Sequence, residues 1–242
     1  MSARVVRAAA YLAWVPLLML GWPAGPAVGE DRGPSTEPTV WAQVLDDRIT
    51  ESSGLASGAM PGRLWTHNDS GDGPVLYALT SAGTVDATLT LTGVDARDFE
   101  GMAAGEDRNG NQVLVVGDIG DNAAVRENVQ IHVVPEPSGN GDLSATPTTY
   151  LLQYPEGPQD AETVMLDPTS GEIVVVAKAS TLSGAGVYRL PPSATPGALT
   201  TLERIGSVQA YVTDGAFLPD GRAVLRTYLG ALLYDGFDDT SP

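Results

Sequence analysis

The sequence predicts an all-β chain folded as a β-propeller, on three observations. Short runs of β-type residues alternate with clusters of Gly, Pro, Asp and Asn, no stretch carries helical spacing, and the runs recur in groups of similar order about fifty residues apart. Four strands per group at that period is the pattern of propeller blades.

Along the chain, Arg4 and Arg7 precede the apolar AAAYLAWVPLLMLGW, and Ala27-Val28-Gly29 supplies small residues at a cleavage point. Residues 1–29 therefore read as a secretory signal peptide, and the protein as secreted or extracytoplasmic. An apolar stretch of about 15 residues is short for a span needing about 20, so no membrane span is expected after cleavage, an uncleaved anchor being the alternative. Residues 30–38, EDRGPSTEP, lack periodicity and read as a disordered leader, and 39–242 as the propeller domain.

Within that domain the first group reads SSGLASG, RLWTHND, PVLYALT and TVDATLTL, the second FEGMAAG, QVLVVGD, VQIHVVP and TTYLLQY. The third reads AETVMLD, EIVVVAK, GVYRL and LTTLERIGSV, and the fourth TDGAFLP, RAVLRTY and ALLYDG. The expected blades are residues 48–94, 98–155, 160–208 and 212–236. EDRNGNQ, DPTSGE and LPDGR supply tight turns between first and second strands, since Asn-Gly, Ser-Gly and Asp-Gly accept positive φ. VWAQVLD, at 40–46, has no group, and the fourth group lacks a fourth strand. Either VWAQVLD completes that blade and closes a four-bladed ring, or the chain is an incomplete six- or seven-bladed ring.

The formal charge is −17, with thirteen basic and thirty acidic residues; residues 1–29 hold two of the basic ones and no acidic one, so eleven against thirty leaves −19. Such a surface repels nucleic acid and anionic membranes. No cysteine is present, so stability rests on packing or bound ions rather than disulfides.

Three acidic residues stand near the starts of first strands: Glu100 in DFEGMA, Glu162 in DAETVM and Asp214 in TDGAF. Innermost propeller strands begin at one mouth, so these carboxylates are the candidate metal ligands, and hard oxygen donors suit Ca²⁺. Asp-x-Gly-Asp occurs twice, as Asp69 to Asp72 and Asp118 to Asp121, each after an apolar second-strand run. The glycine permits reversal and the aspartates bond the turn's own amides, a reading favoured over an ion site. His67, Asp69, Asp72, Asp118, Asp121 and Asn122 are nevertheless the candidate ligand-binding residues. His67, beside Asp69, is the candidate base, whereas the alternation of VQIHVV makes His132 a surface residue. Lys178, the only lysine, ends a second strand and can pair with the acidic mouth. Hydrolase signatures such as G-x-S-x-G and H-E-x-x-H are missing.

ESSGLA, LWTHNDSGD, LYAL, DFEGMA, LVVGDIGDN, DAETVMLDPTSGEIVVVAK and DGAFLPDGRAVLRTY together resemble a group of exported bacterial β-propeller proteins of largely unassigned function, over about residues 48–235. The resemblance implies further blades beyond residue 242. More distantly, the Glu-Gly pair of DFEGMA is similar to phytase-like and gluconolactonase-type propellers. That similarity implies calcium at the mouth, at the places matched by Glu100, Glu162 and Asp214, and hydrolysis of phosphate esters or lactones. The asparagine ligands of the lactonases have no counterparts at these strand starts, and one lysine with ten arginines is a thin supply for phosphate. The leading expectation is a non-catalytic binding module for a small molecule or protein partner, the alternative a calcium-dependent hydrolase.

Overall fold

The structure, a computed structural model, describes residues 40–179, 184–209 and 211–237; the expected signal peptide and leader lie outside them. It is all-β, with four sheets arranged as propeller blades. The first blade holds β1 (Ser52–Ser57), β2 (Arg63–Asn68), β3 (Val75–Thr80) and β4 (Val85–Leu91). Next come β5 (Phe99–Glu106), β6 (Gln112–Asp118), β7 (Val129–Pro135), β8 (Gly141–Ala145) and β9 (Thr148–Gln153). The third stretch contains β10 (Ala161–Leu166), β11 (Ile173–Ala177), β12 (Ala185–Arg189), β13 (Leu199–Thr201) and β14 (Glu203–Val208), and the fourth β15 (Val212–Phe217), β16 (Ala223–Thr227) and β17 (Gly230–Tyr234).

Two outer strands cross between blades. β8 leaves the second blade to pair in parallel with β4, and β13 leaves the third to pair in parallel with β9. The expected single strand LTTLERIGSV is therefore split at Leu202, which is 2% exposed and donates its N–H to Gln153 O at 2.9 Å. A buried arginine fastens the first crossing: the Arg63 guanidinium donates to Asp86 and to Asn140 Oδ1, both at 2.8 Å, the latter just ahead of β8. The fourth sheet has three strands among the described residues.

Val40–Asp46, read as a strand that could complete the fourth blade, forms no strand. Arg48 N–H caps the Asp46 carboxylate at 3.0 Å and Ile49 N–H bonds Asp46 O at 3.2 Å, turning the chain just before β1. The preceding segment is thereby laid back over the β3–β4 turn of the first blade, where Leu45 N–H reaches Gly83 O at 2.8 Å and Val44 packs near Ile49, Tyr77 and Leu79.

Innermost strands pack in succession, β1 on β5, β5 on β10 and β10 on β15. Glycines permit this. A Cβ on Gly54 would stand 2.8 Å from Glu100 O, and one on Gly101 would stand 2.8 Å from Glu162 O and 2.4 Å from Val164 N. The same contact thus recurs one blade on. Between blades lie separate apolar clusters, one with Trp65, Leu89, Phe99 and Leu114, the next with Ile131, Leu152, Val164 and Tyr188.

Because neighbouring blades cover both faces of a sheet, alternation does not mark solvent. His132 is 1% exposed, not a surface residue; its ring lies 5.8 Å from Phe99 and its Nδ1 meets Thr149 Oγ1 at 2.9 Å.

Gly101→Ala is expected to cost about 1–3 kcal/mol in urea unfolding, since backbone must shift. Gly139→Ala, whose added Cβ would meet only Leu143 side-chain atoms at 3.7 and 3.8 Å, is the control, expected to change stability by less than about 0.5 kcal/mol. Equal losses would remove the inner-strand contact as their cause.

Burial pushes the His132 imidazole from 6.5 down to about 4. As pH falls below 6.5 the unfolded chain takes up this proton first, so stability present above 6.5 is lost toward 4. His132→Gln should flatten the stability profile across that window, measured by urea unfolding at stepped pH; an unchanged slope would refute the assignment.

Candidate functional site at the inner-strand rim

In every blade the pairing of the first two strands slips by one residue at the same place, between Ser52 and Leu55, Phe99 and Met102, Ala161 and Thr163, and Val212 and Asp214. Such bulges re-aim side chains at the rim. Superposing the pairs Ser52–Asn68, Phe99–Asp118, Ala161–Ala177 and Val212–Thr227 defines three rows of equivalent residues. The first is Glu51, Asp98, Asp160 and Tyr211, the second Ser53, Glu100, Glu162 and Thr213, and the third Asp69, Ile119, Lys178 and Tyr228.

These rows rearrange the expected metal ligands. Glu100 and Glu162 are equivalent, but Asp214 lies one position further along its strand, opposite Arg226. The Ser53 hydroxyl donates to Glu100 Oε2 at 3.1 Å, so neighbouring blades touch at this row. Glu100, Glu162 and Asp214 do not form a converging group among the described residues. Asp69, Asp98 and Glu100 do, with one oxygen from each within 4.8 Å of the others. Asp98 was not among the expected ligands. Its signal was present as Asp-x-Glu, written in both DFE and DAE.

The two Asp-x-Glu pairs differ in their counter-charge. Lys178 forms ion pairs with Glu162 and, at 3.8 Å, with Asp160, as the sequence allowed. The same row supplies Asp69 in the first blade, a carboxylate in place of an ammonium. Burial first, and then the charges of Glu162, Asp69 and Asp98, push Glu100 from 4.5 up to about 8. Asp98 is also raised, by burial and by Asp69. Asp214 is pushed up to about 6, chiefly by burial, against a hydrogen bond from Gly215 N–H at 2.8 Å.

The repeated Asp-x-Gly-Asp is not one structure used twice; the sequence repeat runs one residue out of step with the structural one. Asn68, not Asp69, is the counterpart of Asp118. Asn68 Oδ1 accepts from the Thr50 and Glu51 amides at 3.0 and 3.2 Å, and Asp118 accepts from the Arg97 and Asp98 amides, both at 3.1 Å. Gly71 has φ +86° in an open turn, where Asp72 accepts from Gly73 N–H and from Asn68. Gly120 instead makes room: a Cβ there would stand 2.4 Å from the Asp98 carboxylate and 2.8 Å from Glu100 Oε1.

Of the expected binding residues, Asp69 joins the cluster and Asp72 shapes the turn beside it. That turn, with Ala96, Arg97 and Phe99, frames a shallow depression. Asp118 is 1% exposed and spent on Arg126 at 2.9 Å. Asp121 accepts from Arg126 N–H at 2.7 Å and donates its own amide to Asp160 at 2.8 Å, while Asn122 is exposed in the following turn. His67, expected as a base, is fully buried, its Nδ1 within 2.8 Å of Asn68 O and its ring edge-on to Phe99 at 5.5 Å. Burial lowers its pKa. The Asp107 loop is a hairpin turn, as expected, with Asp107 accepting from the Asn109 and Asn111 amides at 2.8 and 2.9 Å.

No family model and no curated protein matches the chain. Solved structures do. The chain is similar to hydrazine synthase of Kuenenia stuttgartiensis (TM-score 0.42, 10% identity, covering 76% of this chain and 58% of that one) and to the Dos1 propeller (TM-score 0.44, 10% identity, 79% and 46%). It is also similar to a gluconolactonase from Xanthomonas campestris (TM-score 0.39, 17% identity, 81% and 75%). The likeness is one of fold. The chain spans 58% and 46% of the lengths of the first two.

Lys178→Met is expected to destabilise the protein by about 1–3 kcal/mol at pH 8, between the exposed and buried limits for an ion pair. Glu162, already raised by burial, would rise further, and a carboxyl raised in the fold loses stability as pH climbs through its folded value. The deficit in urea unfolding should therefore shrink at pH 5. A deficit independent of pH would assign Lys178 a packing role only.

Proposed function

We propose that the protein is an exported, non-catalytic binding propeller that holds a Ca²⁺-class cation between Asp69, Asp98 and Glu100 and takes its ligand or partner on that rim. The observation that carries this reading is the contrast between two equivalent carboxylate pairs. Asp160 and Glu162 have Lys178; Asp98 and Glu100 have Asp69. Three like charges within 4.8 Å call for a proton or a cation, and an all-oxygen donor set fits a hard divalent ion. Gly120 supports the fit, because any side chain there would displace two of the three carboxylates. A bound cation would neutralise the cluster and offer open coordination positions to ligand oxygens. Of the three carboxylates, Asp69 also lines the depression beside the Asn68–Gly73 turn.

A non-catalytic role is preferred because His67 is buried and offers no base to that depression. The second reading, a calcium-dependent hydrolase of phosphate esters or lactones, is separated by assaying a panel of both with and without Ca²⁺. Turnover that requires Ca²⁺ would replace the binding role.

Calorimetric titration with CaCl₂ tests the cation. Glu100→Gln should weaken binding at least about tenfold, while Glu162→Gln, whose carboxylate already has Lys178, should change it by less than about threefold. An unliganded wild type, or equal losses in both variants, would overturn the site.

A further inference from the structure

The fourth blade departs from the others at the rim. Where the first three carry Glu51, Asp98 and Asp160 in one row and Asp69, Ile119 and Lys178 in another, it carries Tyr211 and Tyr228. Both tyrosines are exposed, at 40% and 67%, and their ring centroids lie 6.4 Å apart at an interplanar angle of 53°.

Each is placed against local backbone preference. Tyr211 has φ +66°, a left-handed conformation that a bulky residue adopts only when its surroundings impose it. The imposing contacts are its N–H bonds to Lys178 O at 2.8 Å and Ala179 O at 3.1 Å, which fix it to the third blade. Tyr228 and Leu229 form the two-residue turn between β16 and β17, where Gly, Asn or Asp is ordinarily preferred, and Leu229 is 99% exposed. Violations of local rules concentrate at functional sites.

We propose that Tyr211 and Tyr228 form a stacking platform for the ring of an uncharged, hydroxylated ligand, a sugar residue of an oligosaccharide. The inference rests on reading this rim as the ligand-binding face. Tyrosine faces carry negative partial charge and receive the C–H face of a sugar ring, while the phenols and the neighbouring polar groups meet its hydroxyls. Those neighbours are mixed: Lys178 donates, and Asp160 and Glu162 accept. Hydroxyl groups both donate and accept, so a polyol matches the set. An anionic ligand is opposed by the charge of −17 and a wholly apolar one by the carboxylates.

The test uses maltohexaose, cellohexaose and chitohexaose as probes, titrated at millimolar concentration and followed by tyrosine fluorescence and by saturation-transfer NMR of sugar ring protons. At least one should bind, and Tyr228→Ala and Tyr211→Gly should each weaken it at least about tenfold. Tyr211→Gly decides between binding and structural roles: glycine relieves the left-handed backbone, so its melting temperature should equal or exceed that of the wild type while binding is lost. Failure of all three probes, binding unchanged in both variants, or binding of choline in their place would overturn the proposal. Oligosaccharide binding that persists in Glu100→Gln would uphold it while removing the cation from ligand capture. Ca²⁺ binding without any oligosaccharide would do the reverse.

Discussion

The architecture depends on how closely the innermost strands approach one another. Gly54 and Gly101 occupy equivalent positions, and each admits the carbonyl of the next inner strand where a side chain would stand. Close approach sets the spacing of the blades, and the spacing brings Ser53 within hydrogen-bonding reach of Glu100. The bulge that follows in each blade turns the adjacent residue toward the rim. Packing and electrostatics are therefore one problem here: the contact that seals the interior also crowds carboxylates that water alone would keep apart.

The protein resolves that crowding differently from blade to blade. In the third blade an ammonium is built into the chain, whereas in the second no ion pair to Asp98 or Glu100 forms among the described residues. The deeper layer shows the intrinsic solution again, with Asp118 holding the Arg126 guanidinium and the lead-in amides of Arg97 and Asp98. That buried set holds Asp98 from behind, so the cluster is supported by a backbone hydrogen bond from Asp98 N–H to Asp118.

Fold class and blade order were legible because turn chemistry and β-type runs are local properties, and each run of the first three groups seeds a strand. β8 was not legible, because GDLSA is short, polar and opposite a partner from another blade, and LTT was read as one strand with ERIGSV because nothing local marks the break at Leu202 that sends β13 to another blade. VWAQVLD misled for the converse reason, since it alternates like a strand but is turned aside by the Asp46 cap. At the site, Glu100 was found from its strand start. Asp98 and Tyr211 were missed because their significance lies in a register that only the pairing reveals, and Asp214 was grouped with Glu100 by a match one residue out of step. His132 was misplaced because alternation distinguishes faces, and in this fold both faces are interior.

The two crossing strands bear on how the chain comes together as it is made. The first blade's outer edge is closed by β8, so that blade remains unfinished until residue 145 has left the ribosome. The second waits in the same way for residue 201. Neither blade can complete its sheet alone, and each outer edge stays open until roughly one further blade's worth of chain is in place. Wherever the chain folds, β4 therefore offers an unpaired edge until residues 141–145 reach it.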